Sequence, residues 1–290
     1  MYKILAFCAV ASLFFGCIKD SNPPIPAYIY VPSMEFISRG YAVEGTASQR
    51  ITDAWVSVNG QLIGINNFPT LLPVILNDST QDYTISVRAG IENDGILNKK
   101  FSYPFLTRHI ETRRLEAGKV DTIRPTTGYD PTATIINLED FESVGVAFGA
   151  DRDGNVNTKI IKSQADVFEG DFSGQIVVDS LNIVCTAATS SFYSRLQPTG
   201  SAYSVYLELN YKTDLPIAVG LIARYSNSTT EVIQLGGMNP KDTWNKIYFN
   251  LTPTIYTKNA ESYAIYFEVI NSSQKSSPKI FIDNVKLLHY

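Results

Sequence analysis

The side chains best placed to recognise a ligand lie on four strand-like segments of this 290-residue chain. In "YSVYLELNYKT", successive side chains of an extended backbone point to opposite faces. Tyr203, Val205, Leu207, Leu209 and Tyr211 therefore share one stripe, and Tyr206, Glu208, Asn210 and Lys212 the other. The first stripe is nearly all apolar and is assigned to a core. "SYAIYFEVI" divides likewise, with Tyr263, Ile265, Phe267 and Val269 inward and Tyr266 and Glu268 outward. "NKIYFNL" turns Ile247, Phe249 and Leu251 inward and Lys246, Tyr248 and Asn250 outward, and "IAVGLIARY" adds Arg224 beside Ile222. If these strands share a sheet, its exposed face sets Tyr206, Tyr248 and Tyr266 among Glu208, Arg224 and Glu268. Flat rings stack on sugar faces while polar neighbours satisfy hydroxyls, so the pattern predicts a glycan platform. Tyrosine is also a good strand former on any half-exposed surface, and the pattern alone leaves that reading open.

Catalytic constellations are scarce. The chain has two histidines, His109 and the next-to-last residue His289. A Ser-His-Asp site would need one of them, and no G-x-S-x-G elbow occurs. H-E-x-x-H, paired cysteines and a phosphate-cradling glycine loop are also missing. "DRDGN", Asp151 to Asn155, has the beginning of a calcium loop without the glutamate that should follow, and reads as a solvated turn. Glycoside hydrolysis needs two carboxylates roughly 5 to 10 Å apart, a demand that 28 acidic residues leave open. The expectation is a non-catalytic protein.

The elements that must hold these residues are strands. "AWVSVNGQLIG" places Asn59-Gly60 between two alternating runs, a strong hairpin signal. "DYTISVRAG" alternates with Tyr83, Ile85 and Val87 on one face, and "KKFSYPFL" and "KVDTIR" add short strands. No stretch here keeps a 3.6-residue period for long, so residues 28–123 read as a small antiparallel Ig-like β domain. "RPTTGYDPTAT", 124–134, is rich in Pro, Gly and Thr and reads as a linker. From residue 135 to 290, alternating segments separated by turn residues have the spacing of a sandwich or jelly roll. The fold class expected is therefore all-β. Aromatics at 12% and charged residues at 18% suit packed cores, and a net charge of −4 without a basic run argues against nucleic acid as a partner.

The N-terminus gives an address. "ILAFCAVASLFF", after Lys3, is too short to span a bilayer core of about 30 Å, and it ends at Gly16-Cys17. This resembles the lipobox of bacterial lipoproteins, which implies removal of residues 1–16 and acylation of Cys17 as a membrane anchor. "CIKDS" is similar to the export signal of surface lipoproteins in Bacteroidetes-type bacteria, so the outer membrane is expected, on its cell-surface or its periplasmic face. Pro23, Pro24 and Pro26 make residues 17–27 a stiff tether. Cys8 leaves with the leader, and Cys185, in the apolar "LNIVCTAA", reads as a small buried hydrophobe.

Two further resemblances concern the domains. "VSVNGQLIG", "FPTLLPVIL" and "YTISVRAG" resemble PEGA-like surface domains. "DFES", "FEGDFSGQIVV", "VYLELNYKT", "TWNKIYFNL" and "IFIDNVKL" occur in the order seen in galactose-binding-like jelly rolls of carbohydrate-binding modules. That resemblance implies a glycan partner and, for many members, a structural calcium between the first and last strands. Here Asp140, Glu142, Asp171 and Asp283 are the side chains that could converge on it. The competing expectation is a structural or adaptor subunit of an outer-membrane assembly, docking a protein partner through its β domains.

Overall fold

The computed structural model describes residues 24–78, 80–94, 99–194, 196 and 204–290. The expected leader, Cys17, Lys19, Asp20 and Tyr203 lie outside the described residues. Residues 27–127 supply β1 (Ala27–Val31), β2 (Glu35–Phe36), the single-turn helix α1 (Tyr41–Glu44), β3 (Asp53–Val58), β4 (Gln61–Asn67), β5 (Thr70–Val74), β6 (Asp82–Glu92), β7 (Lys100–Ser102), β8 (His109–Arg114), β9 (Val120–Thr122) and β10 (Thr126–Thr127). β3 and β4 meet at Asn59 and Gly60, with φ of 49° and 82°; positive φ at both positions is what a type I′ hairpin turn requires. A three-stranded sheet in the order β5-β1-β9 packs on a five-stranded sheet in which β8 pairs with β6 beside β7. Ile29, Val56, Ile85 and Val87 fill the space between them. This is the small β sandwich that the alternation predicted, except that it is not wholly antiparallel: β1 pairs with β9, and β2 with β10, in parallel.

Residues 134–289 supply β11 (Thr134–Glu139), β12 (Ala150–Asp151), β13 (Lys159–Ser163), β14 (Ser173–Val177), β15 (Val184–Ala188), β16 (Tyr193–Ser194), β17 (Val205–Thr213), β18 (Ile217–Arg224), β19 (Thr230–Met238), β20 (Lys241–Asn250), the helix α2 (Thr252–Lys258), β21 (Ser262–Ile270) and β22 (Ile280–His289). They form two six-stranded antiparallel sheets. The first runs β13-β14-β22-β17-β20 with β11 beside β22, and the second β12-β15-β21-β18-β19 with β16 beside β21. Between the sheets, Leu207, Leu209, Ile247, Phe249, Ile265, Phe267 and Val269 form the core, so each inward stripe read from the sequence is inward. Cys185 lies in the same core, where burial raises its thiol to about 12.

The segment expected to be a linker is itself packed. β10 pairs with β2, and Tyr129 is buried and bridges to Leu106. It draws the two sandwiches together around Tyr103, Phe105, Tyr129, Tyr206, Tyr248 and Leu288. No helix among the described residues is long and apolar enough to cross a membrane.

Candidate functional site

The junction between the sandwiches corrects the predicted platform. The expectation placed Tyr206, Tyr248 and Tyr266 on one exposed face. In fact β17 and β20 lie in the first sheet and β18 and β21 in the second. The outer face of the first sheet is covered by the N-terminal sandwich: Tyr206 is 3% exposed, Tyr248 1% and Glu208 0%. Glu208 accepts hydrogen bonds from the hydroxyls of Tyr103 at 2.5 Å and Tyr129 at 2.9 Å, and the Lys246 ammonium lies 3.0 Å from it. The Tyr248 hydroxyl donates to Gln49 Oε1 and accepts from the backbone N–H of Arg50. Lys286, fully buried, donates to the Thr46 carbonyl at 2.7 Å. Burial works against the charge on Glu208, but Lys246, Lys286 and the Tyr103 hydrogen bond hold its carboxyl below the ordinary range. Tyr206, Glu208 and Tyr248 therefore join two domains and are closed to a ligand.

Arg224, Tyr266 and Glu268 fall on the outer face of the second sheet, which no other part of the described chain covers with a sheet of its own. Strand register arranges this face in rows. Ser194, Ser262, Arg224 and Thr230 align at one end; next come Ala264, Ile222 and Val232. A third row runs Ala150, Ala188, Tyr266, Gly220 and Gln234, and a fourth joins Thr186, Glu268 and Ala218. Ala264, Ala150, Ala188, Gly220 and Ala218 keep part of the floor low, so the face is a shallow trough with Tyr266 at its middle. That ring lies on Gly220, where a Cβ would come within 2.3 Å of Tyr266 Cε1. Beside it a cavity of about 210 Å³ is lined by Arg152, Thr186, Ile222, Val232, Tyr266 and Glu268.

The polar groups of the trough are held but not saturated. Glu268 Oε2 accepts from the Thr186 hydroxyl at 3.1 Å. The Arg224 guanidinium lies 3.5 Å over the Phe192 ring. Tyr266 is 5% exposed, and its hydroxyl has no hydrogen bond to a described residue. Burial, and secondarily the Glu268 charge, raise its pKa. Larger cavities lie elsewhere. One of about 410 Å³ opens between β4 and β5, lined by Leu62, Ile63, Ile75 and Tyr83 among others. It offers no charged side chain, whereas two others, of about 420 and 430 Å³, carry Glu139 and Asp140, and Arg88, Arg108 and Asp130, respectively.

Of the four carboxylates expected to converge on calcium, Glu142 and Asp283 are close enough for the charge of the first to add to burial in raising the pKa of the second. Asp140 Oδ2 accepts from Tyr41 and Asn137, and Glu142 Oε1 from the backbone N–H groups of Asp171 and Phe172. Asp283 is buried and accepts the backbone N–H groups of Asn284 at 2.8 Å and Glu169 at 3.3 Å. Asp171 is exposed. Among the described residues no group of three or more His, Cys, Asp or Glu side chains is placed to hold a metal ion.

Sequence reasoning missed Arg152, Thr186, Phe192 and Val232. It quoted Gly220 without using it, although an isolated glycine within a strand pattern signals close approach of another group. No protein-family model matches the sequence, and no curated protein matches it. Among solved structures, the chain is similar to the CBM22-1 xylan-binding domain of Paenibacillus barcinonensis Xyn10C, at 14% identity over 52% of this chain and 90% of that one, with a TM-score of 0.35. It is also similar to the family 11 carbohydrate-binding module of the cellulase Lic26A-Cel5E of Clostridium thermocellum, at 17% identity over 54% and 95%, with a TM-score of 0.35. Likeness at this level assigns neither ligand nor activity to the chain.

Proposed function

We propose that this protein is a lipid-anchored, non-catalytic glycan-binding protein whose ligand lies in the trough of the second jelly-roll sheet. The observation that carries the reading is the Tyr266 hydroxyl, unpartnered beside the Thr186–Glu268 pair in a cavity of about 210 Å³. A nearly buried ring with a free hydroxyl offers an edge and a donor instead of a stacking face, so recognition here is through hydroxyls. The cavity is below the ~300–1,000 Å³ of drug-sized sites, which suits a single sugar unit of a longer chain. Glu268 is the one carboxylate in its lining, whereas hydrolysis needs two, which favours binding. The Gly16-Cys17 junction supports an acylated N-terminus at the outer membrane. The reading is tested by titrating polysaccharides against the wild type, Tyr266→Phe and Glu268→Ala. Affinity should fall in both variants with the fold retained; unchanged affinity removes this site.

A second reading, a protein-docking adaptor, draws on a different place. Leu62 on the edge strand β4 and Ile75 just past the edge strand β5, each at least half exposed, line one cavity. Capture of one outer-membrane protein by the wild type and its loss with Leu62→Glu/Ile75→Glu would favour it.

A further inference from the structure

A face of the N-terminal sandwich extends the lipid-anchor reading and rests on it. In the sheet β5-β1-β9, Ala27, Ile29, Leu72 and Val74 point into the core, so the alternate positions form the outer face. Register sets these in two rows: Pro73, Tyr28 and Val120, then Leu71, Tyr30 and Thr122. None of the six is charged. Leu71 is 52% and Val120 57% exposed, and the two tyrosines are half-buried. Ile25 precedes β1 and Ile75 follows β5, so both lie at the end of the sheet where the chain enters, and both are more than half exposed. Charged side chains begin only past the strand ends, with Asp78 and Glu116 balanced by Lys119 and Arg124, all exposed.

We propose that this face lies on the bilayer that holds the acylated Cys17, with its apolar side chains among the headgroups and upper acyl chains. Two observations select lipid as the occupant. The first is reach: Pro24 is seven residues after Cys17, a span of at most about 25 Å, and it leads directly into β1. The face therefore stays close to the membrane that the anchor occupies. The second is composition. Tyrosines with apolar bodies and polar tips, set between aliphatic side chains, suit the boundary between hydrocarbon and water. An uncharged face with a rim of both signs fits zwitterionic headgroups and needs no anionic lipid.

The test uses the full-length acylated protein in phosphatidylcholine vesicles, carrying an environment-sensitive fluorophore at Leu71→Cys or Val120→Cys. Ile110→Cys is the control, because Ile110 is 56% exposed on the five-stranded sheet of the same sandwich, where it pairs with the outward Ser86. Cys185 is buried and Cys17 acylated, which leaves the introduced thiol to react. Labels at 71 and 120 should shift to the blue and be quenched by spin-labelled lipid at least twofold more than the control, independently of salt. Labels as water-exposed as the control, on protein that floats with the vesicles, overturn the proposal and spare the anchor. Blue-shifted labels beyond the reach of spin-labelled lipid overturn it in favour of a protein cover. Protein that does not float with the vesicles overturns the anchor reading and the proposal with it.

Discussion

The Tyr103 hydroxyl donates to Glu208 at 2.5 Å across 105 residues of sequence, from the N-terminal sandwich into a strand of the C-terminal one. Around this bond Tyr103 meets Tyr206 and Tyr248 ring to ring, with centroids 5.2 and 5.1 Å apart. Burying a carboxylate is unfavourable unless cations and donors surround it, and here both domains contribute them. The N-terminal domain is thus part of the solvation of Glu208.

Tyr103→Phe leaves one oxygen of Glu208 without its donor and should lower stability by about 1–3 kcal/mol. Glu208→Ala strands Lys246 and Lys286 in the interface and should cost more, about 3–5 kcal/mol. Denaturant unfolding measures both. Equal, negligible losses would mean that the two sandwiches separate freely in solution.

Lys286 gives the junction a pH signature. Burial, reinforced by Lys246, lowers its pKa from 10.5 to about 7, with Glu208 opposing. Between pH 7 and 10.5 the unfolded chain then binds more protons at this site than the folded one, so its contribution to stability rises with pH. The slope reaches about 1.4 kcal/mol per pH unit. Comparing wild type with Lys286→Met from pH 7 to 9 isolates it; parallel curves would place the ammonium in water.

Asp283 acts in the opposite direction and in a lower window. Burial raises its carboxyl from 3.8 to about 7, despite the backbone N–H groups of Glu169, Asn284 and Phe168. Here the folded state binds more protons between pH 4 and 7, so this contribution to stability falls as pH rises through that range. Asp283→Asn should flatten the curve between pH 4 and 7. A variant as pH-dependent as the wild type would assign that slope to another group.

Much of the fold was legible because period-two alternation reports which stripe faces a core. The stripes of β17, β20 and β21 were read correctly for that reason. Alternation is silent on what covers the polar side. Tyr206, Glu208 and Tyr248 look like an exposed face, and their covering partners Tyr103 and Tyr129 lie in distant segments with no local trace of the pairing. Sheet membership was equally hidden: Tyr248 and Tyr266 sit in similar sequence patterns, yet they belong to different sheets. The trough has a fainter signal in Gly220, because only a residue without Cβ lets a ring lie on the strand there.

Gly220 therefore offers a local test. A Cβ at this position would lie 2.3 Å from Tyr266 Cε1 and 2.4 Å from the Ile233 carbonyl oxygen. The ring can swing aside, but the backbone oxygen of the paired strand cannot move without disturbing β19. Gly220→Ala should cost about 1–3 kcal/mol, as overpacking does, and expose Tyr266. Tyrosine fluorescence and thermal unfolding follow it; full stability would show that β19 yields at the register shift between Val219 and Gly220.

The anchor gives the last prediction. A hydrophobic segment of twelve residues, Ile4 to Phe15, cannot span the hydrocarbon core, which needs about 20 in helix. The proposed anchoring therefore requires acyl chains on Cys17. One chain alone binds marginally, and two or more hold, at about 0.8 kcal/mol per buried methylene. Cys17→Ser removes the attachment point, so the variant should be released in soluble form or accumulate with its leader uncleaved. Fractionation with an antibody to the C-terminal domain distinguishes these two from the wild type, which should partition into detergent. A Cys17→Ser chain that is cleaved and still membrane-bound would show that the anchor lies elsewhere.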